Sequence, residues 1–153
     1  MGMSNTTRAE YIKKMKEARD QCFCILFEMS FNNNVCEDVL ANKAEVFDDI
    51  VFDDYTLKII DYYTKNSSAI DKLIEENLKG WTFSRVSKVP LAVLRMALCE
   101  LECYDTPEKV VINEAIDIAK KYSSPKEGSF VNAVLGAVLR KRKEDDKGSK
   151  NEQ

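Results

Sequence analysis

Residues 90–103 read PLAVLRMALCELEC. Leu91, Leu94, Leu98 and Leu101 recur at helical spacing with Ala97 on the same face, while Val93, Met96 and Cys103 carry apolar character round to the others. A helix apolar on nearly every side is one surrounded by other helices. Pro90 suits its first turn, where a missing N–H costs nothing. Only Arg95 and Glu100 interrupt the apolar surface. In a central helix both need partners or an edge reaching water, because an unpaired buried charge is expensive. The stretch predicts the central post of an all-helical domain.

The flanking sequence supplies the helices around that post. A long helix is expected from about Arg8 to Ser30, with Met15, Ala18, Cys22, Ile25 and Met29 as its core stripe and Tyr11 and Leu26 beside it. Asn32-Asn33-Asn34 ends it, and a short helix covers about 36–43. Phe47, Ile50 and Val51 are expected to pin down the acidic stretch that follows. Asp53 or Asp54 caps a helix from about Tyr55 that continues through Asn66-Ser67-Ser68 to Gly80. Trp81 and Phe83 anchor the next connection to the core. Two more helices follow, at 110–122 with Ile112, Ala115, Ile116 and Ala119 inward, and at about 129–141 with Phe130, Val134, Ala137 and Val138 inward. No strand alternation or internal repeat is present. The fold class is all-α in one domain at 8–142, between a disordered segment at 1–7 and a polar disordered tail at 143–153.

At 153 residues the chain can bury a real core without disulfides. No apolar run is long enough to span a membrane, and the five cysteines fall inside helical patterns. Free thiols in a reducing cytoplasm are the expectation. With no histidine, no Gly-rich phosphate loop and no cysteine–histidine pair, neither an enzyme nor a metal site is expected, and no cofactor. The net charge of −3 conceals an acidic stretch at 37–61 and basic clusters nearer the ends. On the first helix, Lys13, Lys16, Phe23 and Phe27 fall on a second stripe away from the core, with Arg19 at its edge. Lysines neutralise phosphates, and aromatics stack on bases or anchor a protein partner. The same residues also suit packing on a neighbouring helix and ordinary solvated charge. Arg140-Lys141-Arg142-Lys143 suits a cationic helix C-terminus.

Three motifs in order carry a resemblance to the NusB family of transcription antitermination factors. Leu94-Arg95-Met96-Ala97 with Glu100 is similar to the family's L-R-x-A-x-x-E. Val110 to Ala115 with Ala119-Lys120 is similar to V-x-I-N-E-A…A-K, and Phe130-Val131-Asn132 with Val134-Leu135 to F-V-N-G-V-L. The resemblance covers about residues 10–140 and implies about seven helices in two packed subdomains, without catalysis. It implies binding of the boxA element of nascent ribosomal RNA leaders, together with a small-subunit ribosomal protein acting as NusE. Assembly with NusA, NusG and RNA polymerase, and a part in ribosomal RNA maturation, are also implied. The RNA would meet Lys13, Lys14, Lys16 and Arg19, then Lys120, Lys126 and Phe130. The protein partner would meet Phe27, with Phe23 and Pro90 nearby. Pro90 stands where relatives often carry an acid, and Ala133 and Gly136 replace a usual Gly and Asp. A homodimer is compatible with the family. Alternative readings are a protein-only scaffold, and an accessory module of an RNA methyltransferase system. Arg95, Glu100, Asn113 and Glu114 are expected to form structural hydrogen bonds between helices. Arg95→Ala is therefore expected to lower the melting temperature, and an unchanged value would exclude that role.

Overall fold

Buried polar groups set the arrangement of the helices. A computed structural model describes residues 5–41 and 50–151. Among them run α1 (Asn5–Met29), α2 (Val35–Leu40), α3 (Asp54–Glu76), α4 (Lys88–Cys103), α5 (Glu108–Tyr122) and α6 (Pro125–Asn151), with one 3-10 turn at Phe83–Arg85. Six helices and a short turn are thus present among the described residues, in an all-α domain as expected. α1, α2 and α3 pack on one another, α5 pairs with α6, and α4 lies between the two groups, touching α1, α3, α5 and α6. Ten consecutive-turn residues of α4, from Pro90 to Glu100 with Arg95 excepted, are buried. The central post is as the sequence reads.

Local chemistry explains the ends. The Asp53 carboxylate accepts from the Tyr55 N–H at 2.9 Å, capping α3. α3 bends at Asn66 (φ −127°, ψ 21°), whose amide donates to the Tyr62 carbonyl at 2.9 Å. Asn77 ends α3 by donating to the Leu73 carbonyl at 2.8 Å, and Gly80 (φ 78°) turns the chain away in a left-handed conformation. Pro125 opens α6 in the position that needs no N–H.

The structure departs from expectation in several places. α1 begins at Asn5 rather than Arg8, so residues 5–7 are helical. α6 runs on to Asn151, past the expected boundary at 143. Residues 1–4, 42–49 with Phe47, and 152–153 lie outside the described residues. Ile50 and Val51 do not pin their segment, being 52% and 86% exposed. Gln21 holds it instead, donating to the Val51 carbonyl at 3.0 Å and accepting from the Asp53 N–H at 2.9 Å. On α5 and α6, Ala115, Ala119, Val134 and Val138 are buried as expected and Ile112 and Phe130 pack half-buried on the core, while Val111, Ile118, Val131, Leu135 and Leu139 widen the buried faces beyond those read in the sequence. Trp81 does not anchor inward but is 54% exposed, while Phe83 packs on the core.

Glu100 is buried and receives hydrogen bonds from two neighbouring helices. Arg19 donates through Nε at 2.9 Å and Nη2 at 2.7 Å, and the Tyr55 hydroxyl donates at 2.5 Å. Burial alone would raise the Glu100 carboxyl. The hydrogen bonds from Arg19 and Tyr55 outweigh it and hold the group below its ordinary 4.5. Arg95 pairs with Asp71 through two 3.0 Å bonds, and Tyr63 donates to both oxygens of the same carboxylate. Among the described residues no buried side-chain nitrogen or oxygen lacks a partner.

Arg19→Ala strands a buried carboxylate and is expected to cost about 3–5 kcal/mol in denaturant unfolding. Arg95→Ala costs less, about 1.5–3 kcal/mol, because Asp71 keeps Tyr63 and some solvent. The acid dependence has a definite sign. A carboxyl lowered by folding contributes in full above its ordinary 4.5, and the contribution is lost as pH falls through the folded value. The gap in melting temperature between wild type and Glu100→Gln should therefore close on acidification below that pH; a gap independent of pH would contradict the assignment.

Candidate functional site

Two helices lying side by side make a mixed-charge edge. On α1, Lys16 bonds Glu114 of α5 at 2.9 and 3.2 Å, and Asp20 accepts from Lys121 of α5 at 2.8 Å. Lys13 and Lys14, one turn earlier on α1, are exposed and form no ion pair among the described residues. Lys120 and Lys121 stand in the last turn of α5, where the helix dipole favours cations. Lys120 lies against Gly128 of α6. A Cβ built on that glycine would come within 2.9 Å of the lysine Cγ and 3.3 Å of its Cε. Gly128 thereby makes room for the lysine stem, which is why glycine is accommodated within a helix there.

Lys126 and Phe130 follow one turn apart on α6. Phe130 meets Trp81 edge to face at 6.0 Å, and both line a depression that also takes in Arg85 and Lys126. Arg85, Lys120 and Lys126 are exposed and, among the described residues, unpaired. Trp81 is exposed and Phe130 half-buried beneath it, and an aromatic platform among free cations is a surface suited to unpaired bases and their phosphates. Trp81 and Arg85 are the members of this surface that sequence reasoning missed. Both lie in the connection before α4, and Trp81 reads equally as an anchor or a platform until its exposure is known.

A second surface begins where the α1 aromatics emerge. Phe23 stacks on Tyr122 at 4.8 Å and on Phe27 at 6.0 Å, and Phe27 meets Phe31 edge to face at 5.3 Å. The Lys88 ammonium sits 3.7 Å from the Phe31 ring centre. Exposure rises along the row, from 2% at Phe23 through half-buried Phe27 to 62% at Phe31. Phe23 is therefore core rather than contact surface, and buried Pro90 likewise. Phe31 continues the four-residue step of Phe23 and Phe27, a signal present in the sequence.

Three other assignments change. Arg19 is 6% exposed and committed to Glu100, so it cannot reach a ligand outside. Lys16 is exposed but shares its charge with Glu114. Asn113 is exposed and stands apart from the interhelical network, to which Arg95, Glu100 and Glu114 do belong. The network also recruits Tyr55, 45 positions from Glu100, Asp71, 24 positions from Arg95, and Tyr63, two turns from Asp71 on the same helix. Burial raises the Cys22 thiol and pushes Cys36 up to about 11, leaving them protonated and unreactive. Among the described residues no group of three or more Cys, Asp or Glu could hold a metal ion. Nor is any described helix long and apolar enough to cross a membrane.

The NusB family model matches residues 16–140. A transcription antitermination protein NusB of Clostridium novyi (strain NT) is 40% identical over 132 residues, covering 82% of this chain and 97% of that protein. The Acetivibrio thermocellus protein of the same name is 35% identical over 139 residues, covering 89% and 95%. Among solved structures, T. maritima NusB superposes with a TM-score of 0.68 at 32% identity, covering 82% of this chain and 89% of that one. A crystal structure of antitermination factors NusB and NusE in complex with dsRNA gives 0.67 at 28% identity, covering 84% and 97%. With buried Arg19–Glu100, the α5 motif and the α6 motif all in one helical framework, the chain belongs to the NusB family.

Proposed function

We propose that the protein is a non-catalytic RNA-binding factor of transcription antitermination. It engages boxA-like RNA with a small-subunit ribosomal protein in the role of NusE, alongside RNA polymerase, NusA and NusG. The observation that carries this reading is the set of exposed cations Lys13, Lys14, Lys120 and Lys126, unpaired among the described residues, together with exposed Trp81 set against half-buried Phe130. Phosphates meet the lysines, while unstacked bases find the aromatic pair. Lysine supplies charge without the planar fork of arginine. Affinity then comes from charge and stacking, and sequence selectivity is sharpened by the protein partner. That partner docks on Phe27 and Phe31, whose exposed ring area adjoins the cation Lys88. A protein-only scaffold is the second reading, and exposed Phe31 is what favours it.

The test is binding of a short boxA-like RNA and a scrambled control across a salt series, with and without the ribosomal protein. Selective binding that weakens steeply with salt is expected. The change Lys13→Glu with Lys14→Glu should lower affinity and flatten the logarithmic salt slope by about 1 per lysine, leaving the melting temperature in place. Phe31→Ala should weaken the protein partner by more than about 1 kcal/mol and spare RNA binding measured alone. Absence of selective RNA binding even with the partner present would overturn the RNA reading in favour of the scaffold.

A further inference from the structure

The cationic surface does not stop at Phe130. On the far side of the Trp81–Phe130 pair lies a second depression, with Lys79, Asn132, Gly136 and Arg140 on its walls. A third continues from it, sharing Gly136 and Arg140 and reaching Lys109 and Asn113 at the start of α5. Ten residues of α6 separate Phe130 from Arg140, about 15 Å of helix. Lys79, Lys109 and Arg140 are exposed and, among the described residues, unpaired. Two of the nearby acids are paired: Glu108 with Lys143 at 4.0 Å, and Glu76 with Lys141 and Lys72 at 3.9 Å each. Asn113 and Asn132 are exposed amides, able both to donate to and to accept from a base edge.

We infer that this groove along α6 carries a second stretch of the same single-stranded RNA, continuing past Trp81 and Phe130 to Arg140, Asn113 and Lys109. The inference rests on the RNA reading above and lengthens its footprint. Three free cations along a groove attract a polyanion, and the aromatic pair at one end gives the strand continuity with the first surface. The occupant is single-stranded, because exposed amides and an aromatic platform address unpaired bases, whereas a duplex offers mainly phosphates and hydroxyls.

Gly136 stands one turn before Arg140 on α6 and lines both depressions. A Cβ there would meet only the Arg140 Nη1, at 3.5 Å. An aspartate therefore fits without strain, and as an i,i+4 partner it would neutralise Arg140. It also removes a glycine from a helix interior, so the fold should not suffer.

The experiment measures the full chain on two RNAs across a salt series. One is the short boxA-like RNA, and the other carries several extra nucleotides at its 5′ or its 3′ end. The longer RNA with the right extension should bind more tightly, with a salt slope steeper by about 2 for three added phosphate contacts. Arg140→Ala, Lys109→Ala and Gly136→Asp should each reduce that advantage, while binding of the short RNA and the melting temperature stay at wild-type values. Equal affinity for the short RNA and both extended forms would overturn the inference. So would variants that leave the advantage intact. In either case Lys13→Glu would still weaken both RNAs, so the primary reading would survive. If wild type binds neither RNA, the primary reading fails and takes the groove with it.

Discussion

The ion pair of Arg19 with Glu100 is the constraint on which the rest depends. A carboxylate at the heart of an apolar helix cannot be left alone in a low-dielectric surrounding. Here α1 supplies a guanidinium in two-point contact and α3 supplies the Tyr55 hydroxyl, so one buried acid ties three helices at one point. The pair contributes little net stability compared with an apolar substitute, since both charges are desolvated. Its effect lies in excluding other arrangements. If α1 slid by one turn along α4, Glu100 would lose both bonds and two buried charges would be stranded. Arg95 with Asp71 and Tyr63 repeats the device between α3 and α4, nearer the surface and at lower cost.

That constraint determines what remains outside. Because Arg19 turns inward, the adjacent exposed lysines are left to carry surface charge, and they divide into paired and unpaired groups. Lys16 and Lys121 join α1 to α5 through Glu114 and Asp20. Lys13, Lys14, Lys120 and Lys126 have no such duty and retain their full capacity for an anionic ligand. A count of basic residues along the sequence would treat these groups alike. Only the position of the acids on the neighbouring helix separates them.

The same reasoning explains how much was legible beforehand. The stretch PLAVLRMALCELEC announces a surrounded helix because its apolar residues cover every face, a property read within 14 letters. The inward faces of α5 and α6 are legible through Ala115, Ala119, Val134 and Val138, but they are wider than periodicity indicates. Val110, Val111 and Ile112 are consecutive and apolar, so periodicity alone does not select which faces inward. The requirement for partners at Arg95 and Glu100 was legible, whereas their identities were not: Arg19 lies 81 positions from Glu100 and Asp71 lies 24 from Arg95. The exposure of Lys13, Lys14, Lys120 and Lys126 is legible because solvated charge is local. Phe23 and Pro90 were misread because an aromatic or a proline carries no local sign of what covers it.

α1 shows how one helix can serve core, junction and surface together. Ala18, Cys22 and Leu26 face inward, and Arg19 reaches the same interior with its charge neutralised there. Lys16 and Asp20 form the junction with α5, and each uses its charge in doing so. The aromatic row Phe23, Phe27 and Phe31 then runs from core to open solvent over two turns. Anchoring Phe23 in the core limits the motion of Phe27, and Lys88 over Phe31 restrains the exposed ring. A partner that covers Phe31 therefore meets a ring already ordered, and less of its binding energy goes into fixing side chains. The exposure is greatest at one ring, Phe31, which is supported by charge, and this limits the size of the apolar patch that could invite non-specific association.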